Sequence, residues 1–209
     1  MHVICPTITA FTLKEYDDQV KNIADFAHRI HIDFMDGQFA PTKSPNVDDA
    51  WWPKKVQADL HIMHQNPMLV LDDVLKLHPH LVIVHEEARH VSSFVHQLHE
   101  ERVKVGIALL PDTPVEKLNH FINVINHVLI FAGNLGHHGG TANLELVYKV
   151  QQIRELRPDI EIGWDGGINE QNIMLLKEAG VNVFNVGSAV QHAEHPQSAY
   201  NKLFELVQS

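Results

Sequence analysis

The chain has 209 residues, 44% of them hydrophobic, and a formal net charge of -10. This length can bury one sizeable core, and the acidic balance argues against a nucleic-acid partner, which would need a basic patch. No apolar stretch approaches the roughly 20 residues that span a bilayer, and the N-terminus lacks the pattern of a signal peptide. Because Cys5 is the only cysteine, no intrachain disulfide can form, and we expect a cytoplasmic protein without a membrane partner.

Short apolar segments alternate with amphipathic ones along the whole chain. Helical periodicity is clearest at 13–27, 143–156 and 198–208, whereas three prolines make 37–56 the least helical connection. Buried strands are predicted at residues 2–9, 29–36, 57–64, 81–88, 104–110, 127–133, 161–167 and 181–188. Such alternation predicts a parallel sheet, and eight strand–helix units fit a closed (β/α)8 TIM barrel, an α/β fold, as a single domain over 1–209. The alternative, an open doubly wound sheet, is disfavoured because the Gly-rich dinucleotide fingerprint is missing.

Several predicted strands carry polar side chains among apolar neighbours on one face. In "HIDFMDGQFAP", the alternation of side chains places His31 and Asp33 on the same face. The segment "DLHIMH" adds His61, and "IGWDGG" adds Asp165 near the end of the seventh strand. Because one face of every barrel strand points inward, these four side chains could converge. A single inward histidine is more often a hydrogen-bonded core residue, but unpaired buried carboxylates are costly. The set therefore favours a shared divalent ion, such as Zn, Fe, Mn or Co.

Glycines follow the last three predicted strands. The loops after strands seven and eight of such barrels often hold a phosphate through backbone N–H groups. Gly166, Gly167, Gly187 and Ser188 lie in these two loops. Glycine turns alone are weak indicators, since any tight strand end uses them, but their position beside Asp165 favours a phosphate site.

The order of the motifs resembles the ribulose-phosphate 3-epimerase family. The segments "HIDFMDGQFAP", "DLHIMHQNP", "VHEEA", "GIALLPDTPVE", "WDGGI" and "AGVNVFNVGSAV" follow one another as in that family, over nearly the whole chain. The resemblance implies a (β/α)8 isomerase of carbohydrate metabolism that inverts C3 of a ketose phosphate with one divalent metal ion per subunit. It implies D-ribulose 5-phosphate as the sugar phosphate, D-xylulose 5-phosphate as the product in the pentose phosphate pathway, and a homo-oligomer.

The resemblance also implies roles for individual residues. His31, Asp33, His61 and Asp165 would bind the metal, and the two aspartates would also be the acid–base pair. The C3 proton becomes acidic when the metal polarises the adjacent ketone, and inversion through the enediolate needs one proton-transfer group on each face of the substrate. The implied substrate-binding residues are Thr7, Met35, Met63, Gly139, Gly140, Gly166, Gly167, Gly187 and Ser188.

The chain departs from the family pattern mainly in the loops that would cover the substrate. Thr7 replaces a serine, Thr42 and Leu110 replace asparagines, and "GNLGHHGGT" is apparently one residue longer than the family's loop after strand six. Two alternatives therefore stay open. One is a 3-epimerase of a hexulose 6-phosphate such as D-allulose 6-phosphate, and the other is a non-catalytic barrel that binds a metal and a phosphosugar. His137 and His138 of the altered loop are candidates for contact with the substrate.

Overall fold

A computed structural model describes residues 2–209, which form a closed barrel of eight parallel strands. The strands follow chain order around the barrel, and β8 pairs back onto β1. Closure leaves no sheet edge, so the predicted TIM barrel is confirmed and the open doubly wound sheet is excluded. The strands are β1 (Val3–Ile8), β2 (Arg29–Met35), β3 (Gln57–Met63), β4 (Leu81–His85), β5 (Val105–Leu109), β6 (His127–Phe131), β7 (Glu161–Asp165) and β8 (Val183–Val186).

Seven α-helices surround the barrel in the described residues 2–209. The first begins at a capping box, in which the Thr12 hydroxyl accepts from the Glu15 N–H and the Glu15 carboxylate accepts from the Thr12 N–H. It ends at Ile23, earlier than the predicted residue 27, because the chain turns at Ala24. The helices are α1 (Leu13–Ile23), α2 (Leu71–Lys76), α3 (Val91–Glu100), α4 (Tyr148–Leu156), α5 (Ile173–Ala179), α6 (Ser188–Gln191) and α7 (Pro196–Gln208).

The prediction of a helix after every strand is wrong at two connections. After β2 and β5 the chain forms only 3-10 turns, at Val47–Asp49 and Val115–His120. Prolines lie in both connections, three between 37 and 56 and two at Pro111 and Pro114. Proline lacks the N–H that an α-helix needs and biases its preceding residue toward extended backbone. No helix within residues 2–209 is long and apolar enough to cross a bilayer.

The two faces of the strands have different surroundings. Outward side chains such as Phe34, Trp164 and Phe184 are fully buried under the helices. Inward side chains form a smaller apolar layer in the middle of the barrel, which includes Ile83 and Leu129. This separation follows the period-two alternation of the strand sequences.

A charged network fills the N-terminal end of the barrel. The Arg29 guanidinium donates to Asp59 at 2.7 Å and, through two nitrogens, to Glu161 at 2.9 Å each. Glu161 also contacts His127 Nδ1 at 2.8 Å. Gly163 leaves the space that the His127 ring occupies, because a Cβ there would lie 2.5 Å from Nε2. Burial raises the pKa of Asp59 to about 7, although Arg29 opposes the shift. The network therefore closes the floor beneath the inward polar residues of the opposite end.

Candidate active site

Four inward side chains converge at the C-terminal ends of β2, β3 and β7. Their atoms His31 Nε2, Asp33 Oδ1, His61 Nδ1 and Asp165 Oδ2 can serve as ligands, and all lie within 4.8 Å of one another. His61 Nδ1 is 2.9 Å from Asp33 Oδ1, and His31 Nε2 is 3.7 Å from Asp165 Oδ2. Two imidazole nitrogens and two carboxylate oxygens match the donors that Zn, Fe, Mn and Co accept. The group could therefore hold a divalent metal ion.

The two aspartates have opposite protonation preferences before an ion binds. Burial alone would raise the pKa of Asp33, but hydrogen bonds with His31 and His61 outweigh it and lower the pKa. Burial and the nearby charge of Asp33 together raise the pKa of Asp165 well above its ordinary value. Burial lowers the pKa of His31 to about 4, so its ring is neutral at pH 7. The site thus combines a carboxyl group that favours its ionised form, one that favours its protonated form and a neutral imidazole.

A chain of polar groups extends from His61 away from the cluster. His61 Nε2 lies 2.9 Å from His85 Nε2, and His85 Nδ1 lies 3.4 Å from Glu87 Oε2. The other Glu87 oxygen accepts from the Leu110 N–H at 3.0 Å and from the Thr113 hydroxyl. When an ion replaces the hydrogen bond between His61 Nδ1 and Asp33, a proton on His85 Nδ1, facing the Glu87 carboxylate, would leave His85 Nε2 to accept a hydrogen bond from the His61 Nε2–H. His61 would then present the lone pair of Nδ1 to the ion.

Thr9 holds the second oxygen of Asp33. Its hydroxyl donates to Asp33 Oδ2 at 2.6 Å, while Asp33 Oδ1 faces the two imidazoles. The carboxylate is therefore anchored on both sides. Thr9 was not predicted from the sequence as a site residue. Its spacing of two residues from Thr7 nevertheless puts both hydroxyls on the same face at the end of the first strand.

A cavity of about 240 Å³ opens above the cluster. Pockets for drug-sized ligands are roughly 300–1,000 Å³, so this one suits a small polar metabolite. His31 and His61 are fully buried behind the aspartates. The two aspartates and every predicted substrate-binding residue line the cavity: Thr7, Asp33, Met35, Met63, Gly139, Gly140, Asp165, Gly166, Gly167, Gly187 and Ser188. Thr9, Asn134 and Asn185 line it as well and were not predicted.

The glycine pair after β7 has a packing role. Gly166 and Gly167 have φ of +121° and +66°, which favour glycine. A Cβ on Gly166 would lie 2.2 Å from the Gly133 nitrogen, and one on Gly167 would lie 2.1 Å from the Ala142 nitrogen. The loops after β6 and β7 therefore touch through their backbones, and the wall of the cavity depends on this contact.

The altered loop after β6 reaches the cavity with one of its two histidines. His137 lines the cavity, whereas His138 packs edge-on against Phe11 with 4.7 Å between the ring centres. The Thr42 hydroxyl donates to the Gly136 carbonyl at 2.5 Å and ties this loop to the one after β2. Thr7, which occupies the family's serine position, lies in the cavity wall, as does Phe131 at the end of β6.

Comparison with known proteins agrees with this geometry. The chain is 28% identical over 210 residues to a ribulose-phosphate 3-epimerase of Bacillus subtilis, covering 96% of this chain and 97% of that protein. It is 31% identical over 204 residues to one of Synechocystis, covering 91% and 88%. A solved 3-hexulose-6-phosphate synthase from Salmonella typhimurium superposes with a TM-score of 0.73 at 15% identity, covering 99% and 98%, and this shows the shared fold alone. The family model described as "Ribulose-phosphate 3 epimerase family" matches residues 3–191. This chain therefore belongs to the ribulose-phosphate 3-epimerase family, whose named members are isomerases.

Proposed function

We propose that the chain is a divalent-metal-dependent epimerase that interconverts D-ribulose 5-phosphate and D-xylulose 5-phosphate in the pentose phosphate pathway. The observation that carries the proposal is the pair of carboxylates facing one small cavity. Asp33 and Asp165 come from β2 and β7, which are separated by β1 and β8, so they approach the cavity from different strands. The names of the relatives support the same substrate.

The proposed reaction is a proton transfer at C3. One aspartate removes the C3 proton from one face of the substrate, and the other delivers a proton to the opposite face. Before an ion binds, the surroundings of Asp33 favour its ionised form and those of Asp165 favour its protonated form, so the two carboxyl groups differ in their affinity for a proton. A divalent ion held by the four-residue cluster would polarise the adjacent ketone. Met35 and Met63 give the cavity an apolar wall, which excludes water from the reacting carbon.

The phosphate end of the substrate would lie at the opposite side of the cavity. Gly139, Gly140, Gly167, Gly187 and Ser188 line the cavity and would offer backbone N–H groups and one hydroxyl. Backbone amides can hold an anion without a basic side chain, so the net charge of -10 is compatible with a phosphorylated substrate.

The test follows deuterium incorporation by NMR. The protein is loaded in turn with Fe(II), Mn(II), Co(II) and Zn(II) and incubated with D-ribulose 5-phosphate in D2O. Deuterium at C3 and the appearance of D-xylulose 5-phosphate are expected, and both should be lost in Asp33→Asn and Asp165→Asn. Unphosphorylated D-ribulose is the control for the phosphate requirement.

The altered loop after β6 motivates one further arm, with D-allulose 6-phosphate as the substrate. Faster turnover of this compound would move the assignment to a hexulose 6-phosphate. If a folded, metal-bound protein shows no C3 exchange with either compound under any of the four ions, the epimerase assignment is refuted and a binding role without turnover stands.

A further inference from the structure

Asn185 is a buried amide that finds no hydrogen-bond partner in the protein. Its side chain is 2% exposed, and neither Oδ1 nor Nδ2 makes a hydrogen bond within the described residues 2–209. Other buried side chains there also have an unpartnered polar atom, but among them only Thr7 and Asn185 line the cavity. Leaving a buried polar group unpaired destabilises a protein. Nothing in the fold explains an amide at this position, and its surroundings therefore suggest a ligand.

The position of Asn185 indicates which part of a substrate it faces. On β8 it pairs in register with Asp165 of β7, one of the proposed acid–base residues at C3. Gly187 and Ser188, where the phosphate is expected, follow Asn185 by two and three residues and lie just after the end of β8. In a pentulose 5-phosphate, C4 is the carbon between the reacting C3 and the phosphorylated C5. An amide offers both a donor and an acceptor, as a hydroxyl does.

We propose that Asn185 is a specificity-determining residue whose amide hydrogen-bonds the C4 hydroxyl of the bound ketose phosphate. The inference rests on the proposed function for the identity of the substrate. It extends that function because Asn185 neither belongs to the metal cluster nor carries a titratable proton. A site built to hydrogen-bond a hydroxyl discriminates strongly against an analogue that lacks it, because its own polar groups are then left unpaired.

The experiment measures binding rather than turnover. Calorimetry gives the dissociation constants of D-ribulose 5-phosphate and its 4-deoxy analogue for the metal-free wild type and for Asn185→Leu, which has a similar size without polar atoms. We expect the wild type to bind the parent compound about tenfold more tightly than the analogue, as one or two neutral hydrogen bonds allow. Asn185→Leu should bind both compounds with the weak affinity of the analogue. Its melting temperature without ligand should rise, since the unpaired amide is gone.

Asn182→Leu is the matched control. The Asn182 amide oxygen already accepts from Arg154 and from the Ile162 N–H, so this variant should melt at a lower temperature and keep the wild-type ratio of affinities. Three results would overturn the inference. They are an equal loss of affinity for both compounds in Asn185→Leu, equal affinities of the wild type for the two compounds, and no binding of either compound by the wild type. Selective binding by the wild type without epimerisation after metal loading would instead refute the proposed function and leave the role of Asn185 supported.

Discussion

Replacing Glu87 with glutamine should invert the tautomers that the two imidazoles between it and the cluster need for metal binding. Glu87 Oε1 accepts from the backbone N–H of Leu110, and an NH2 group cannot accept this bond. The carbonyl oxygen of the glutamine must therefore stay there, which places its NH2 at the Oε2 position, 3.4 Å from His85 Nδ1. The amide then donates to His85 Nδ1, and the His85 proton moves to Nε2.

The inversion continues to the cluster. A protonated His85 Nε2, 2.9 Å from His61 Nε2, makes that nitrogen an acceptor and holds the His61 proton on Nδ1. His61 Nδ1 is the atom that would ligate the ion, and a protonated nitrogen cannot do so. If the imidazoles keep their original tautomers instead, the glutamine NH2 and the His85 N–H oppose each other, and an unpaired buried donor costs about 1–3 kcal/mol. Either way the affinity for the ion should fall about 10- to 100-fold, the range found when a partner of a metal-binding histidine is lost.

Chelator competition with Zn(II) and Co(II) measures this loss directly. Glu86→Gln is the matched control: it makes the same substitution one residue earlier, at a half-buried carboxylate 3.9 Å from Lys117 and outside the imidazole chain. It should bind as the wild type does. An affinity of Glu87→Gln within twofold of both proteins, in a variant of unchanged melting temperature, would show that Glu87 does not set the tautomer of His61.

Two further predictions concern the aspartates. Thr9→Val removes the hydroxyl donor to Asp33 Oδ2 and should lower kcat by at least about tenfold, since hydrogen bonds to charged groups contribute about 1.5–3 kcal/mol. Thr9→Ser should keep most of the activity in the same NMR assay, and equal rates for both variants would contradict the role. Burial and the charge of Asp33 raise the pKa of Asp165, so a proton competes with the ion for this carboxyl group. Metal affinity should therefore increase with pH, and calorimetry at pH 7 in two buffers of different ionisation enthalpy should detect proton release; identical apparent enthalpies would refute it.

The barrel and its inward cluster could be predicted because both depend on local periodicity. Strand alternation fixes the face of His31, Asp33 and His61, and closure of the barrel brings the strand ends together whatever the loops do. The missing helices after β2 and β5 follow from prolines rather than from periodicity. The three prolines between 37 and 56 already weakened the expectation of a helix there, whereas the expectation of a helix after β5 left out Pro111 and Pro114. Thr9 and Asn185 were missed for a different reason. The role of a hydroxyl at the end of a strand, or of an amide among apolar residues, can be inferred only from the group that it contacts. For Thr9 that group lies 24 residues away. For Asn185 the described residues contain no such group.

The hydrogen bonds around the cluster divide its two carboxylates into an anchored and an unanchored one. Asp33 is held by Thr9, which directly follows β1, and by His61, and His61 is in turn held by His85 from β4. The Asp165 carboxylate makes no hydrogen bond to another side chain or backbone group of residues 2–209, and its nearest imidazole nitrogens lie 3.7 and 3.8 Å away. Rotation about its side-chain bonds therefore breaks no hydrogen bond. In the proposed reaction, Asp33 keeps the geometry of the site fixed, while Asp165 is the carboxylate that can move toward C3.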